Sequence, residues 1–401
     1  MINIFYQNVN LNVLKNYYVV WYYLESKTTL KDAAWNLAIG QSVGNPHNRS
    51  EFETDELFKD HSCLILEDPD KLSELKKGNV FIAFPEKNIN FREDGISSLL
   101  VQIMGGQCDI DVITKCVVKQ VIFTPSMLLE LKRPYFGIDG MRKFCNVAKD
   151  KVLFGGIVKP KVGLSPEKHL DLVKQFIDNG CNFIKEDEIL SNQAFCPIEK
   201  RIPLVANYIR NTNAKVFYCA SLQADAHKIL NYSKKVSELG GNGIHVNFHC
   251  GMGIYKSIRE MNLPLLMHFQ KSGDKILNCS DHRYHIEPSV LFQLAALSGC
   301  DTLHVGMIGG YMDNDTQELK TIIKNLNEIG SVPALSCGMH PGLIDYITNI
   351  LGHCDWMANV GGAITSHPMG TSAGVKAMAQ AINKNYDKEY ESAIEKWGKL
   401  I

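Results

Sequence analysis

From about residue 150 onward the chain repeats one pattern eight times, a short apolar run followed by an amphipathic stretch. The runs are Val152–Lys159, Asn182–Glu188, Lys215–Ala220, Gly243–His249, Pro264–Phe269, Thr302–Gly306, Pro333–Gly338 and Trp356–Gly362. After the first run, Ser165 and Pro166 read as an N-cap followed by Pro at N1. Leu170, Val173 and Phe176/Ile177 then share one helical face, and Gly180 ends the helix. Eight β-then-α units in one block predict an α/β fold with a closed (β/α)8 TIM barrel rather than an open doubly wound sheet. No G-x-G-x-x-G follows the first run, which weakens a dinucleotide-binding reading.

The first 150 residues differ. Strand-like runs at Tyr17–Leu24, Val80–Phe84 and Val117–Phe123 are separated by helical segments near Leu30–Ile39 and Ser97–Met104. This predicts a smaller N-terminal α+β domain of ferredoxin-like type. Turn residues cluster at Pro134–Gly140, so the expected division is 1–140 and 141–401. At 401 residues and 45% apolar content the chain can bury a large core, which excludes disordered and fibrous classes.

The 42 Lys+Arg against 43 Asp+Glu leave no basic excess for phosphate neutralisation, so nucleic acid is not an expected partner. The beginning of the chain has no basic leader, and no stretch of about 18 uncharged apolar residues occurs. The expectation is a soluble, cytoplasmic protein without a membrane partner. Its 12 cysteines fall mostly singly inside apolar runs with no C-x-x-C pair, which argues for buried thiols in a reducing compartment and against zinc or a disulfide framework.

Barrels of this kind carry their chemistry at the carboxyl ends of the strands. The polar residues there are Lys159 and Lys161 after run one; Lys185, Asp187 and Glu188 in run two; and His245, Asn247 and His249 in run four. His268, His304, Ser336, Gly338, Gly361 and Gly362 follow in the later runs. Period-two alternation puts Lys185 and Asp187 on one inward face, with Glu188 joining them at the loop. Two hard carboxylates suit Mg²⁺, but an ammonium has no lone pair to give, so the lysine must be neutral or modified to be a ligand. The tetrapeptide could equally be a buried Lys–Asp ion pair with Glu186 solvated. Gly338, Gly361 and Gly362 stand where such barrels cradle phosphate, or could serve tight turns. Lys159 and Lys161 could be solvent-facing, yet a lysine desolvated beside another cation can act as a base. The histidines have core or capping readings as well, strongest for His245 and His249.

These residues resemble the ribulose-bisphosphate carboxylase large-subunit superfamily, most narrowly its non-carboxylating RuBisCO-like proteins. Gly155–Ser165 resembles the first-strand motif and Phe183–Glu188 the metal motif. Leu303–Gly306, Ser336–His340, and Gly361-Gly362 with His367–Gly370 resemble the sixth, seventh and eighth strand ends. The resemblance implies Mg²⁺ bound by Asp187, Glu188 and a carbamate formed by CO₂ on Lys185. It implies Lys159 and Lys161 at the enolisation centre, and His268 and His304 on the substrate. Ser336, Gly338, Gly361 and Gly362 would hold the substrate and its phosphate, and the assembly would be a homodimer or a multiple of dimers. It gives no role to His245 or His249.

Departures from the family pattern shape the functional expectation. The carboxylase needs a lysine on the loop after the sixth strand, and Val305–Leu319 contains none, with Tyr311 or its neighbours at that place. Phe269 follows His268 where the carboxylase has a phosphate-gripping arginine, so one of two phosphate sites is lost. In the N-terminal domain the family glutamate falls near Gly40-Gln41. The asparagine of the carboxylase, or the lysine base of the enolase branch, falls near Gly106. The expected activity is a Mg²⁺-dependent enolisation or decarboxylation, of lyase or isomerase type, on a phosphorylated keto sugar or sugar acid. The alternatives are a true carboxylase and a catalytically inactive sugar-phosphate-binding homologue.

Overall fold

The structure, a computed structural model, describes residues 4–5, 14–45, 47–312 and 314–400. Thirteen strands run through the described residues. They are β1 (Tyr17–Ser26), β2 (Leu64–Ile65), β3 (Lys77–Pro85), β4 (Ile113–Ile122), β5 (Leu153–Ile157), β6 (Phe183–Lys185), β7 (Phe217–Ser221), β8 (Gly243–Asn247), β9 (Leu266–Gln270), β10 (Tyr284–Ile286), β11 (Thr302–Gly306), β12 (Val332–Leu335) and β13 (Met357–Val360). Two compact units divide the chain, one of Met1–Leu131 with Gly273–Leu294, the other of Lys132–Ser272 with Ala295–Ile401.

In the first unit a five-stranded sheet has the order β10-β4-β1-β3-β2. The β-branched and aromatic residues of β1 suit a pleated surface, and alternate ones, Tyr18, Val20, Tyr22 and Leu24, are fully buried. The helix Leu30–Gly40 starts from a capping box in which Thr29 and Asp32 satisfy each other's backbone amides. The three expected strands and two expected helices are present. Added to them is β10, far along the chain, which pairs parallel with β4 through Tyr284–Cys116 to Ile286–Val118.

The second unit is a closed parallel barrel in the order β11-β12-β13-β5-β6-β7-β8-β9, so each of the eight expected runs overlaps one strand, with β7, β9 and β12 overrunning theirs by one residue. The strands are buried on both faces, as a parallel sheet wrapped by helices requires. All but β11 are shorter than the runs. β5 ends at Ile157 and β6 at Lys185, so Lys159, Lys161, Asp187 and Glu188 lie on the following loops, where strand alternation no longer sets side-chain direction. The helix after β5, Pro166–Ile177, starts on a Ser165 cap as expected, but its buried face is His169, Val173 and Phe176. His169 takes the place expected for Leu170 because its Nε2 lies 2.7 Å from the buried hydroxyl of Tyr218.

The amino end of the barrel is plugged. Met141 and Cys145 of the helix Gly137–Cys145 pack on Leu153, Phe183, Phe217, Leu266, Val332 and Met357, the first or second residues of their strands. Filling that end with side chains leaves the carboxyl ends of the strands as the open mouth. Among the described residues no helix is long and apolar enough to cross a membrane. All 12 cysteines are free, and eight of them are buried.

Candidate active site

A cavity of about 600 Å³ opens at the carboxyl ends of the barrel strands. It gathers Lys159, Lys161, Lys185, Asp187, Glu188, His304, Ser336, Gly338, Gly361 and Gly362 from the expected set. His268 is not on its wall. That ring is fully buried, with Nδ1 2.7 Å from Thr302 Oγ1. His249 is exposed and lies on the Phe248 ring at 4.1 Å between centroids, outside the cavity. His245 is buried within β8.

The centre of the site is a short chain of opposite charges. Lys159 Nζ pairs with Asp187, whose side chain is 1% exposed, and Lys185 Nζ lies 3.2 Å from Glu188 Oε2. Burial lowers the Lys185 pKa more than the neighbouring Glu188 and Asp187 raise it, so the uncharged amine is favoured relative to an exposed lysine. Burial alone would raise Glu188, but Lys185, backbone hydrogen bonding and the Ser272 hydroxyl hold it well below the usual carboxylate range. Ser272 Oγ donates to Glu188 Oε1 at 2.8 Å.

Glu186 is not solvated. It is fully buried and grips Arg201, with Nε 2.6 Å from Oε1 and Nη2 2.8 Å from Oε2. The Tyr218 hydroxyl and the Ser221 backbone N–H also donate to it. Burial would raise this carboxyl, yet the Arg201 guanidinium outweighs it and holds the pKa at about 2. This bidentate pair anchors the tetrapeptide from behind, turning Asp187 and Glu188 toward the cavity.

The remaining walls are less charged. His304 is neutral, its pKa lowered to about 3 by burial and then by Lys271, and its Nε2 lies 3.7 Å from Cys337 Sγ. Cys337 holds a left-handed φ of 81°, unusual for a residue with a side chain, and burial raises its pKa so that it stays a thiol. At Gly338, φ is 106° and a Cβ would come within 2.9 Å of the Tyr311 backbone nitrogen, so only glycine fits beside that loop. Gln270, Ser272, Cys337, His340, Asn359 and Trp397 also line the cavity and were not foreseen. Gln270 ends β9 and Ser272 follows it, so both obey the same rule as the others. Trp397 comes from the helix Lys388–Trp397, far from any strand end, and nothing in the sequence marks it.

The donor set suits Mg²⁺. Asp187 and Glu188 offer hard oxygens in one cavity, and the buried Lys185 amine lies where reaction with CO₂ would add oxygens beside them. Unpartnered polar atoms cluster in and under the same mouth. Both ring nitrogens of His245, Nε2 of His268, Oε1 of Gln270 and both amide atoms of Asn359 are buried without a well-formed hydrogen bond, although the Glu186 backbone acts on His245 and Gln270 on His268. Each such group costs about 1–3 kcal/mol when left unsatisfied.

Comparison with known proteins agrees with this architecture. The family model for the ribulose bisphosphate carboxylase large chain, catalytic domain, matches residues 137–329 and 324–397. A ribulose bisphosphate carboxylase of Archaeoglobus fulgidus is 27% identical, with 93% of this chain and 92% of that protein covered. An uncharacterized ribulose bisphosphate carboxylase-like protein of Bordetella bronchiseptica is 26% identical over 76% of this chain and 74% of that one. Among solved structures, the dimeric archaeal Rubisco of Hyperthermus butylicus superposes with a TM-score of 0.85 at 22% identity, covering 99% of each chain. With most of the barrel matched by the family model, the mouth described above is that of a member, and the chain belongs to the ribulose bisphosphate carboxylase large-chain family.

Proposed function

We propose that this chain is a Mg²⁺-dependent enzyme that acts by enolisation, taking a proton from carbon next to a carbonyl or releasing CO₂ to leave an enolate, on a phosphorylated keto sugar or sugar acid. The carrying observation is the composition of the cavity. It collects Lys159, Lys161, Lys185, Asp187 and Glu188, while the loop after β11 lines it with Gly309, Gly310 and Tyr311 and no lysine. The first group supports enolisation; the second speaks against stabilising a newly formed carboxylate.

Asp187, Glu188 and a carbamate on Lys185 would hold the metal. When bound, it supplies positive charge for the oxyanion that develops beside the reacting carbon. Lys159 exchanges the proton with the substrate carbon or enediolate oxygen through Nζ, and Lys161 adds positive charge on the same side. His304, neutral at working pH, orients the substrate by hydrogen bonding, whereas His268, off the cavity wall with Nδ1 on Thr302, takes no direct part. Ser336 and the backbone N–H groups around Gly338, Gly361 and Gly362 receive the phosphate. A homodimer is the proposed assembly, in keeping with the dimeric Hyperthermus butylicus relative.

The test is proton exchange. Incubation with Mg²⁺ and bicarbonate in deuterated water should introduce deuterium next to the carbonyl of one or more keto-sugar monophosphates, and Asp187→Asn should abolish it. No exchange across the panel would sink the reading. A second reading, true carboxylation, is favoured by the name of the Archaeoglobus fulgidus relative. Incorporation of labelled CO₂ into ribulose bisphosphate would establish it.

A further inference from the structure

His245 has no task in the site as described. It lies mid-strand in β8, no part of it reaches solvent, and neither ring nitrogen makes a well-formed hydrogen bond, the nearest backbone acceptor being the Glu186 carbonyl. The barrel places it close to the metal motif. Its pairing partner on β7 is Ser221, and two residues back on β7 Cys219 pairs with Lys185. The charges that act on its ring are those of Lys185, Glu186 and Glu188, and the Glu186 backbone carbonyl, which Lys185 Nζ also reaches, competes for its N–H.

Those neighbours are unequal as partners. Both oxygens of Glu186 are taken by Arg201, with Tyr218 and the Ser221 N–H adding to them. Glu188 is held by Lys185 and Ser272. Around Lys185 Nζ the bonded groups are the Glu186 carbonyl at 3.3 Å and Glu188 Oε2 at 3.2 Å, both acceptors. Carbamylation reverses the polarity of that side chain. The amine lone pair forms an N–C bond to CO₂, one C–O π pair becomes a carboxylate lone pair, and an amine proton leaves to water. A donor head among acceptors becomes two acceptor oxygens among acceptors. One oxygen serves the metal; the other needs an N–H.

We infer that His245 is a positioning residue for the Lys185 carbamate, its neutral imidazole donating one ring N–H to the carbamate oxygen that the metal does not take. This rests on the reading of Lys185, Asp187 and Glu188 as a CO₂-dependent metal site. His268 is the other candidate donor. It lies one strand further from Lys185, already uses Nδ1 on Thr302, and is acted on by Lys185, His245 and His304 rather than by the motif's carboxylates. Such an outer contact fixes the orientation of a ligand and so its affinity.

The test reads the carbamate itself. Wild type, His245→Phe and His245→Gln are equilibrated with Mg²⁺ and graded ¹³C-bicarbonate, the carbamate is trapped by alkylation, and modified Lys185 is counted by peptide mass spectrometry. Melting in CO₂-free buffer reports the fold of each variant, and His245→Met replaces the Phe variant if that one fails to fold. The donor-free variant should need on the order of ten-fold more CO₂ for half-saturation, and the Gln variant should recover most of the loss because its amide can donate. Equal half-saturation in wild type and the donor-free variant would overturn the inference, as would a Gln variant no better than the donor-free one. Wild type that traps no carbamate at Lys185 overturns the metal-site reading and the inference with it, a result visible in the wild-type arm alone.

Discussion

The two units bury their strands in different ways. In the first, β1 alternates fully and partly buried residues along its length, so one face of the sheet is sealed and the other is only half covered. In the barrel, β7, β8, β9 and β11 are buried at every position. The first arrangement buries few polar groups and satisfies them locally, as where the buried Tyr22 hydroxyl donates to the Ile103 carbonyl at 2.8 Å. The second draws polar groups inward both within the strands and at their ends, and the barrel, with Arg201 of a surrounding helix, holds Lys185, Glu186, Asp187, His245, His268 and His304 out of solvent. Chemistry follows the second pattern because charges in a desolvated site interact far more strongly than in water.

Four substitutions test that contrast, in order of expected effect. Lys159→Met in the metal-loaded enzyme should cost about 10²- to 10⁴-fold in turnover while Mg²⁺ and phosphate binding survive; undiminished exchange of the substrate C–H would move the proton transfer to another group. Arg201→Met leaves Glu186 buried without its countercharge and should destabilise the barrel by about 3–5 kcal/mol in urea unfolding. A loss no larger than that of an exposed pair such as Lys235–Glu199 would show that the buried pair does not anchor the motif.

In the first unit, Glu67 is the exception that sharpens the comparison. Burial raises its carboxyl pKa from 4.5 to about 7, although the Phe81 N–H donates to it at 2.7 Å. The folded state thus holds a proton that the unfolded state has lost between those pH values. The associated stability is full below pH 4.5 and disappears as pH rises through about 7. Glu67→Gln should remove this slope, worth on the order of 2 kcal/mol, in melts from pH 4.5 to 8; an unchanged slope would place the titration elsewhere. Tyr22→Phe should cost about 1 kcal/mol, read from hydrogen-exchange protection of β1.

The barrel was legible because each strand lies in a mostly apolar run between helical periods, and the mouth was legible because charged and polar residues concentrate at the carboxyl ends of those runs. Lys185, Asp187 and Glu188 stand out for that reason. The alternative with Glu186 solvated fails, since a carboxylate between Lys185 and Asp187 gives no hint of an arginine 15 residues on, and only the helix Ile198–Thr212 brings Arg201 back to it. Trp397 escaped because its place in the cavity is set by tertiary packing, not by a local pattern, whereas Asn359 lies on β13 inside the last apolar run and was simply passed over. The pairing of β10 with β4 was hidden for a simpler reason: three residues, Tyr284–Ile286, carry too little periodicity to be read.

That short strand bears on how the chain is made. The outer edge of β4 stays open on the ribosome until Ile286 has emerged, while β5 to β9 are synthesised in between. At ordinary elongation rates of about 5–20 residues per second the wait is roughly 10–30 seconds, a long exposure for an unpaired sheet edge. Translation speed across this stretch thereby becomes a determinant of yield, and a nascent chain stalled within the barrel would present a sticky edge to holdase chaperones before any enzyme exists.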